Sequence, residues 1–368
     1  MILKKIFRLL FPLSLSVGIL FLAQRLLMPK YMGQVVEGAF IEEYYNEETS
    51  HDILFLGDCE VYENISPIVL WRDYGITSYI RGSAQQLVPQ SYYLLEDTLK
   101  FETPKAVVFN VSAMQQYEQE NETYNRMTLD GMRWSGSKVK AIKETMTEEE
   151  HMIEYVFPIL RFHSRWRELE NDDLRYLFKR RQVTHNGYYM RADVRPAGEF
   201  PVARRRSDYS FDPKAWEYLE KIRMLCEEHG TLLILMKAPS LYPVWYDQWE
   251  QQIKDYAKEH QLEYINCIER SDEIGIDFSK DTYDGGLHMN VYGAEKMSRY
   301  FGEFLVGISG VEDRRTIAGE DVQNRVWKEK CEFYDQMKAA QEAEFARLGY
   351  LKQFTSEEEG GNLYEKTR

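Results

Sequence analysis

Short apolar strands and amphipathic helical stretches alternate along most of this 368-residue chain, and this alternation limits the folds open to it. Continuous apolar runs such as ILFLG at 53–57 and KAVVFNVS at 105–112 show no polar alternation. Runs of this kind are typical of strands that are buried on both faces of a parallel sheet. Strands separated by helices therefore predict an α/β fold, a flavodoxin-like, doubly wound parallel sheet of five strands.

The other predicted elements continue the alternation. Three further strands are TSYI at 77–80, TLLILMKAP at 231–239 and EYINC at 263–267. Helices are predicted over 65–75, 89–101, 213–230, 245–261 and 290–307, and Gly230 provides a typical helix stop.

The sequence divides into four predicted parts. Residues 1–30 form a signal anchor or transmembrane helix, 31–51 a polar spacer, and 52–310 the α/β domain. Within the domain, a segment of about 115–210 is rich in Arg, Glu and Tyr and predicts a helical insertion beside or over the site. Residues 311–368 predict a charged helix followed by a disordered acidic tail.

The N-terminus combines a basic start with an apolar run. Lys4, Lys5 and Arg8 precede the run from Leu9 to Ala23. No small-residue cleavage site follows, which favours an uncleaved anchor with its basic end in the cytoplasm and the domain outside it. A cleaved signal peptide and a buried helix are the alternatives.

Composition excludes one class of partner and one class of scaffold. The net charge of -14 argues against a nucleic-acid partner, because phosphate binding needs a basic face. Cys59, Cys226, Cys267 and Cys331 show neither a metal-binding spacing nor a disulfide framework. Cys226 and Cys267 are expected to be small core residues, and no cofactor or metal site is predicted.

Polar residues that suit catalysis follow several predicted strands. Gly57-Asp58-Cys59 follows the first strand, Gly82-Ser83 the second, and Asn110 and Ser112 lie at the end of the third. DTYDGGLHMNVYGAEK follows the fifth strand and contains His288. Ligands bind at the carboxyl ends of strands in open α/β sheets, so these residues are expected to meet.

This set of motifs resembles the SGNH (GDSL-type) hydrolase family across most of Asp52 to Gly307, outside the insertion. The resemblance rests on GDCE in place of GDSL or GSSH, on Gly82, and on DGGLHMNVYGA, which is similar to the family's closing Asp-x-x-His-x-Asn-x-x-Gly-Ala motif. It implies that Cys59 is the nucleophile, His288 the base and Asp284 the residue that orients it. It also implies oxyanion donors at the Cys59 N–H, Gly82 and Asn110, although the family's Gly-x-Asn-Asp is absent here.

Two departures from the family pattern leave alternatives open. Cys59 replaces a serine, so it is a working thiol nucleophile, an inert thiol at a degenerate site, or a thiol with another role such as binding to a partner. Three residues separate Asp284 from His288 where the family has two, so Gly285 and Gly286 must form a bulged turn if Asp284 is to reach the imidazole.

Several nearby residues have a structural as well as a functional interpretation. Asp58 is expected to be a turn residue, and Asn290 and Gly293 are expected to belong to the turn and cap of the last helix. Lys237 faces either the site or the surface. The basic runs at 179–181 and 204–206 are either an anion-binding patch or a solvated helix face.

The resemblance implies a membrane-anchored, extracytoplasmic esterase or O-acyltransferase that acts on acyl esters of cell-envelope polysaccharide. Relatives of this kind work beside membrane-bound O-acyltransferases, so such a protein is an expected partner. The main alternative is an inactive SGNH-like glycan-binding or scaffold protein that partners a membrane O-acyltransferase. A further alternative is a structural partner of the envelope machinery that acts through the C-terminal helix.

Overall fold

A computed structural model describes residues 2–28, 36–116, 119, 122–169, 171–178, 182, 184–197, 201–317, 319 and 321–354. Its centre is a five-stranded, entirely parallel sheet with the order β2-β1-β3-β4-β5. The strands are β1 (Ile53–Gly57), β2 (Ser78–Gly82), β3 (Ala106–Asn110), β4 (Leu232–Lys237) and β5 (Glu263–Asn266). The predicted five-stranded parallel α/β sheet is confirmed.

Fifteen α-helices occupy the described part of the chain. They are α1 (Ile2–Leu27), α2 (Val36–Glu43), α3 (Cys59–Asn64), α4 (Pro67–Tyr74), α5 (Val88–Thr98), α6 (Glu122–Leu129), α7 (Gly136–Thr145), α8 (Met152–Val156), α9 (Ile159–Phe162), α10 (Asn171–Phe178), α11 (Pro213–His229), α12 (Asp247–His260), α13 (Ser271–Ile274), α14 (Val291–Ile308) and α15 (Asp321–Leu348). α11 ends at Gly230, which has a φ of 66° as its predicted role requires.

Helices cover both faces of the sheet, which explains why its central strands β1 and β3 are almost entirely apolar. Phe55 belongs to one buried cluster with residues of α4, α14 and α15. Its neighbours Leu54 and Leu56 belong to a second cluster with residues of α5, α11 and α12. Successive side chains of a strand point to opposite faces, so a strand covered on both faces favours apolar residues at successive positions.

The N-terminal helix α1 is long and apolar enough to cross a membrane, as predicted. Its side chains from Leu10 to Ile19 are exposed. The predicted spacer of 31–51 is different from what the sequence suggested: residues 36–46 fold into α2 and a 3-10 turn, and Phe40 and Ile41 are fully buried. Residues 29–35 lie outside the described residues.

The predicted insertion is helical where the structure describes it, and it contains α6 to α10. The basic run at 179–181 lies outside the described residues, while Arg204, Arg205 and Arg206 are exposed.

The C-terminal helix α15 is part of the folded domain. Trp327 is fully buried and stacks on Trp71 of α4 with ring centroids 5.1 Å apart. Arg72 and Asp335 add a partly exposed ion pair of 2.8 Å across the same contact. The predicted acidic tail falls on residues 355–368, which lie outside the described residues.

Candidate active site

The turn after β1 presents Cys59 at the carboxyl edge of the sheet. Gly57 has a φ of 149°, and a Cβ there would lie 2.6 Å from Val61 and 2.9 Å from Asn110. Asp58 caps α3 by accepting a hydrogen bond of 3.2 Å from the Glu60 N–H, so its predicted role as a turn residue is confirmed. Cys59 is the first residue of α3, and its side chain is partly exposed.

His288 and Asp284 form a hydrogen-bonded pair in the turn before α14. The Asp284 Oδ2 lies 2.7 Å from His288 Nδ1, and Asp284 Oδ1 accepts the His288 backbone N–H at 2.9 Å. Gly285 and Gly286 have φ values of 86° and 107°. The extra residue between Asp284 and His288 is therefore absorbed by two glycines in backbone conformations that other residues rarely adopt, as the bulged-turn hypothesis required.

A second carboxylate, which the sequence analysis missed, also reaches His288. Glu63 Oε2 lies 3.1 Å from His288 Nδ1 and accepts a hydrogen bond from the Tyr283 hydroxyl. Glu63 is four residues after Cys59 on α3, and residues at this spacing lie on the same helix face. That i, i+4 spacing is the signal that would have found it.

The two carboxylates determine the charge of the imidazole. Burial lowers the pKa of His288, but the negative charges of Glu63 and Asp284 and the hydrogen bond with Asp284 raise it well above 6.5. Nδ1 is engaged by carboxylates, whereas the buried Nε2 makes no hydrogen bond of normal geometry to the described part of the chain. Nε2 is therefore the nitrogen that is available to Cys59 or to a substrate.

The environment of Cys59 favours the neutral thiol over the thiolate. Burial raises the pKa of Cys59 to about 12, while the charge and hydrogen-bonding capacity of His288 act in the opposite direction. Burial also raises the pKa of Glu63 to about 7, with the charge of Asp284 adding to the effect. Burial acts to raise the pKa of Asp284, but the His288 charge together with hydrogen bonds from His288 and Thr282 lowers it overall.

Gly82 lies beside the Gly57-Asp58-Cys59 turn. It pairs with Gly57 in the sheet, and a Cβ on Gly82 would lie 2.9 Å from the Gly57 carbonyl oxygen. The close approach of the two strand ends therefore requires glycine at this position. Its role as an oxyanion donor stays a prediction.

Asn110 has other partners. Its amide nitrogen donates to Asp58 Oδ1 at 3.2 Å and to Glu60 Oε2 at 3.3 Å. Its carbonyl oxygen accepts the Ala238 N–H at 3.2 Å. In this conformation Asn110 donates both amide hydrogens to carboxylates. It therefore holds the turn that carries Cys59 in place and has no hydrogen left for an oxyanion.

A buried ion pair lies beneath the turn. Lys237 Nζ is 2.8 Å from Glu60 Oε2, and Lys237 is fully buried, so the alternative of a surface lysine is wrong. Ser112 donates to the same carboxylate oxygen. Burial and the neighbouring charge of Glu60 raise the pKa of Asp58 to about 7. This network rigidly supports the segment that carries Cys59.

The turn before α14 is held in place from two sides. Asn290 caps α14 through the Tyr292 and Gly293 N–H groups, so its predicted role is confirmed. The Leu241 N–H donates to the Gly286 carbonyl at 2.8 Å, which links this turn to the loop after β4.

A cleft of about 440 Å³ opens next to that loop. Its lining includes Tyr242, Tyr246, Trp249, Arg204 and Arg206. The Arg206 guanidinium lies 5.3 Å from the Trp249 ring centroid. The cleft follows β4 directly, so it opens at the same edge of the sheet as Cys59 and combines aromatic faces with positive charge.

One group of side chains has the spacing of a metal site. The donor atoms of Glu63, Asp284 and His288 lie within 4.8 Å of one another. These atoms already hydrogen bond or ion pair among themselves, and we assign no metal to them.

Comparison with protein-family models and with curated proteins finds no match to this chain.

Proposed function

We propose that this chain is an acyl-transfer enzyme in which Cys59 carries the acyl group. The observation that carries the proposal is that Cys59 lies beside a histidine whose Nδ1 is held by Asp284 at 2.7 Å, while the Nε2 of this histidine makes no hydrogen bond of normal geometry to the described residues. A histidine with one nitrogen fixed by a carboxylate and the other facing a nucleophile can move the nucleophile's proton. The motif resemblance to SGNH hydrolases supports the same chemistry.

The chemistry balances with these residues alone. The Cys59 Sγ bonds to the acyl carbonyl carbon, its proton passes to His288 Nε2, and the leaving alcohol takes that proton as its C–O bond breaks. A sugar hydroxyl or water then attacks the thioester, and its proton returns through Nε2 to the departing thiolate. The backbone N–H groups of Cys59 and Gly82 are the proposed donors to the oxyanion of each step.

The protonation of the site sets its pH dependence. Glu63 and Asp284 favour the imidazolium form of His288, and burial favours the neutral thiol. A site with both protons in place is inactive, because neither a thiolate nor a free base is present. We therefore expect the acylation rate to increase as pH rises from acidic to alkaline values.

The N-terminal helix and the cleft near the site support the proposed location and substrate. We propose that α1 anchors the protein with its domain outside the cytoplasm, and that the substrate is an acyl ester of cell-envelope polysaccharide. The cleft with Arg204, Arg206, Tyr246 and Trp249 offers aromatic faces and charge for a glycan beside the site. A membrane O-acyltransferase is the proposed source of acyl groups.

The raised pKa of the Cys59 thiol favours a second candidate function. A working thiol nucleophile usually has a depressed pKa, whereas burial raises the pKa of Cys59 to about 12. The alternative is an inactive protein that binds glycan in the same cleft or acts as a scaffold for a membrane O-acyltransferase.

The two candidates are separated by incubating the full-length protein in detergent with an activated acetyl ester and mapping the acetylated peptide by mass spectrometry. Acyl transfer requires an adduct on Cys59 that forms and turns over. The adduct must disappear in Cys59→Ala and in His288→Ala, and the double variant should be no worse than either, since residues that act as a unit are not additive. Cys331→Ala is the matched control, because Cys331 is the other partly exposed cysteine.

The opposite result identifies the alternative. If the wild type forms no adduct at any pH while Cys59→Ser hydrolyses the ester, the fold has kept its machinery and lost its nucleophile. Equal turnover in the wild type and Cys59→Ala would refute acyl transfer through Cys59. Placement of the domain is tested separately, because protease added to intact cells should digest it, and protection would contradict an extracytoplasmic location.

Deletion of residues 311–368 is not a clean test of a scaffold role for the C-terminal helix. Trp327 is buried against Trp71, so the deletion would remove part of the core as well as any partner site. Substitution of exposed α15 residues is the appropriate test of that alternative.

A further inference from the structure

Exposed apolar side chains are concentrated in two places. In the described part of the chain, 15 of the 24 large hydrophobic side chains that are exposed lie either in α1 or between residues 152 and 178. The second group belongs to α8, α9, the 3-10 turn His163–Arg167 and α10, which we call the collar. Soluble surfaces rarely carry contiguous apolar patches of this kind, and such patches mark interaction sites.

Large apolar side chains of the collar are exposed from α8 through to α10. Ile153 and Val156 on α8, Phe157 directly after it and Leu160 on α9 are 39–51% exposed. Leu174 and Phe178, four residues apart on α10, are also exposed, at 51% and 87%.

The opposite side of the collar is the one that packs on the domain. Tyr155 and Phe162 are buried, and the Arg126 guanidinium lies 4.1 Å and 5.2 Å from their ring centroids. Arg161 pairs with Glu122 at 2.8 Å. The collar is thus anchored to the domain by one side, and its apolar residues remain outward.

The collar also packs against the base of α1. The guanidinium of Arg165 donates to the Leu27 carbonyl at 3.0 Å and to the Met28 carbonyl. Residues 23–27 at this end of α1 are partly or fully buried, whereas most side chains of Leu10–Leu22 are exposed. The exposed apolar part of the candidate membrane helix and the exposed apolar side chains of the collar thus belong to two elements that pack against each other.

We propose that the collar is a membrane-binding surface. It inserts its apolar side into the interfacial region of the bilayer, in the leaflet from which the C-terminal end of α1 emerges. The occupant is the lipid bilayer because α1, against which the collar packs, is the segment suited to cross it. Trp166 is 62% exposed on the collar and has Arg167 over its ring. Tryptophan and arginine at this position are typical of membrane–water interfaces. This inference rests on the proposed membrane insertion of α1 and not on the proposed acyl-transfer chemistry.

The experiment measures whether Trp166 contacts lipid. The full-length protein is reconstituted in nanodiscs of phosphatidylcholine brominated either near the headgroup or near the chain ends, and quenching of tryptophan emission is recorded. Residues 1–28 contain no tryptophan, so α1 gives no signal. We expect quenching in the wild type, strongest with bromine near the headgroup, and loss of most of it in Trp166→Phe.

Trp134→Phe is the matched control, because Trp134 is similarly exposed, at 53%, but lies outside the collar. It should keep the wild-type quenching. A wild type that is not quenched, or Trp166→Phe with undiminished quenching, would overturn the proposal and leave the collar to another occupant, such as a membrane protein. Leu160→Ser combined with Leu174→Ser should shift the emission of Trp166 towards that of water-exposed indole, and an unchanged spectrum would also contradict lipid insertion.

Discussion

The buried carboxylate of Glu63 should make the stability of the protein depend on pH in a way that Glu63→Gln removes. Burial raises the pKa of this group from 4.5 to about 7 in the folded state. In the unfolded chain the carboxyl group loses its proton near pH 4.5, so between these values the native state binds more protons than the unfolded state. The free energy of unfolding must therefore fall as pH rises through this interval.

The magnitude follows from the size of the shift. A difference of about two and a half pKa units corresponds to about 3 kcal/mol of unfolding free energy, lost between about pH 4.5 and pH 7. His288 acts in the same direction, because a raised pKa gives stability that is present below 6.5 and lost as pH rises through the folded value. The glutamine of Glu63→Gln cannot titrate, and its neutrality also lowers the pKa of His288.

The assay is urea unfolding of the full-length protein in detergent, followed by tryptophan fluorescence at a series of pH values. As pH rises from about 4.5 to above 7, we expect the wild type to lose about 3 kcal/mol of unfolding free energy relative to Glu63→Gln. Asp58, whose pKa is also raised to about 7, is present in both proteins and cancels in the comparison. The exposed Glu149→Gln is the control. Parallel pH profiles for wild type and Glu63→Gln would refute the reasoning.

Two further predictions concern the support of the site. Lys237→Met should destabilise the domain by about 3–5 kcal/mol in urea unfolding, because it leaves the buried Glu60 charge without its partner. Adding Glu60→Gln should restore much of the lost stability. Equal stability of the single and double variants would contradict this prediction. Gly286→Ala should cost about 1–3 kcal/mol and reduce acylation, since its φ is 107° and the new Cβ would lie 2.9 Å from Leu241. Gly285→Ala has no contact closer than 4.0 Å and should have the smaller effect on both measurements.

Local patterns in the sequence determined the elements and their type. The continuous apolar runs predicted the buried central strands β1 and β3, because a strand between two helical layers needs apolar residues on both faces. The helix stop at Gly230 and the cap at Asn290 were also predictable, since each depends on a residue and its immediate neighbours. The same holds for the turn that brings Asp284 to His288, where two glycines accommodate one extra residue.

The tertiary structure decided which distant groups share one environment. Glu63 and His288 lie 225 residues apart in the chain, and Glu60 and Lys237 lie 177 apart. Whether Lys237 was buried or exposed could not be decided from MKAP, because its ion pair forms only when α3 packs over the end of β4. For the same reason Asn110 looked like a free amide donor, although the folded chain places two carboxylates on it.

The sequence by itself thus determined the α/β class, the apolar N-terminal helix and the positions where polar residues follow strands, all of which depend on short-range periodicity and turn chemistry. The charges around the site, the burial of Phe40, Ile41 and Trp327 in the core, and the packing of the collar against α1 depend on the tertiary structure. Burial and charge–charge distance govern these properties, and both arise from contacts between segments that are far apart in sequence.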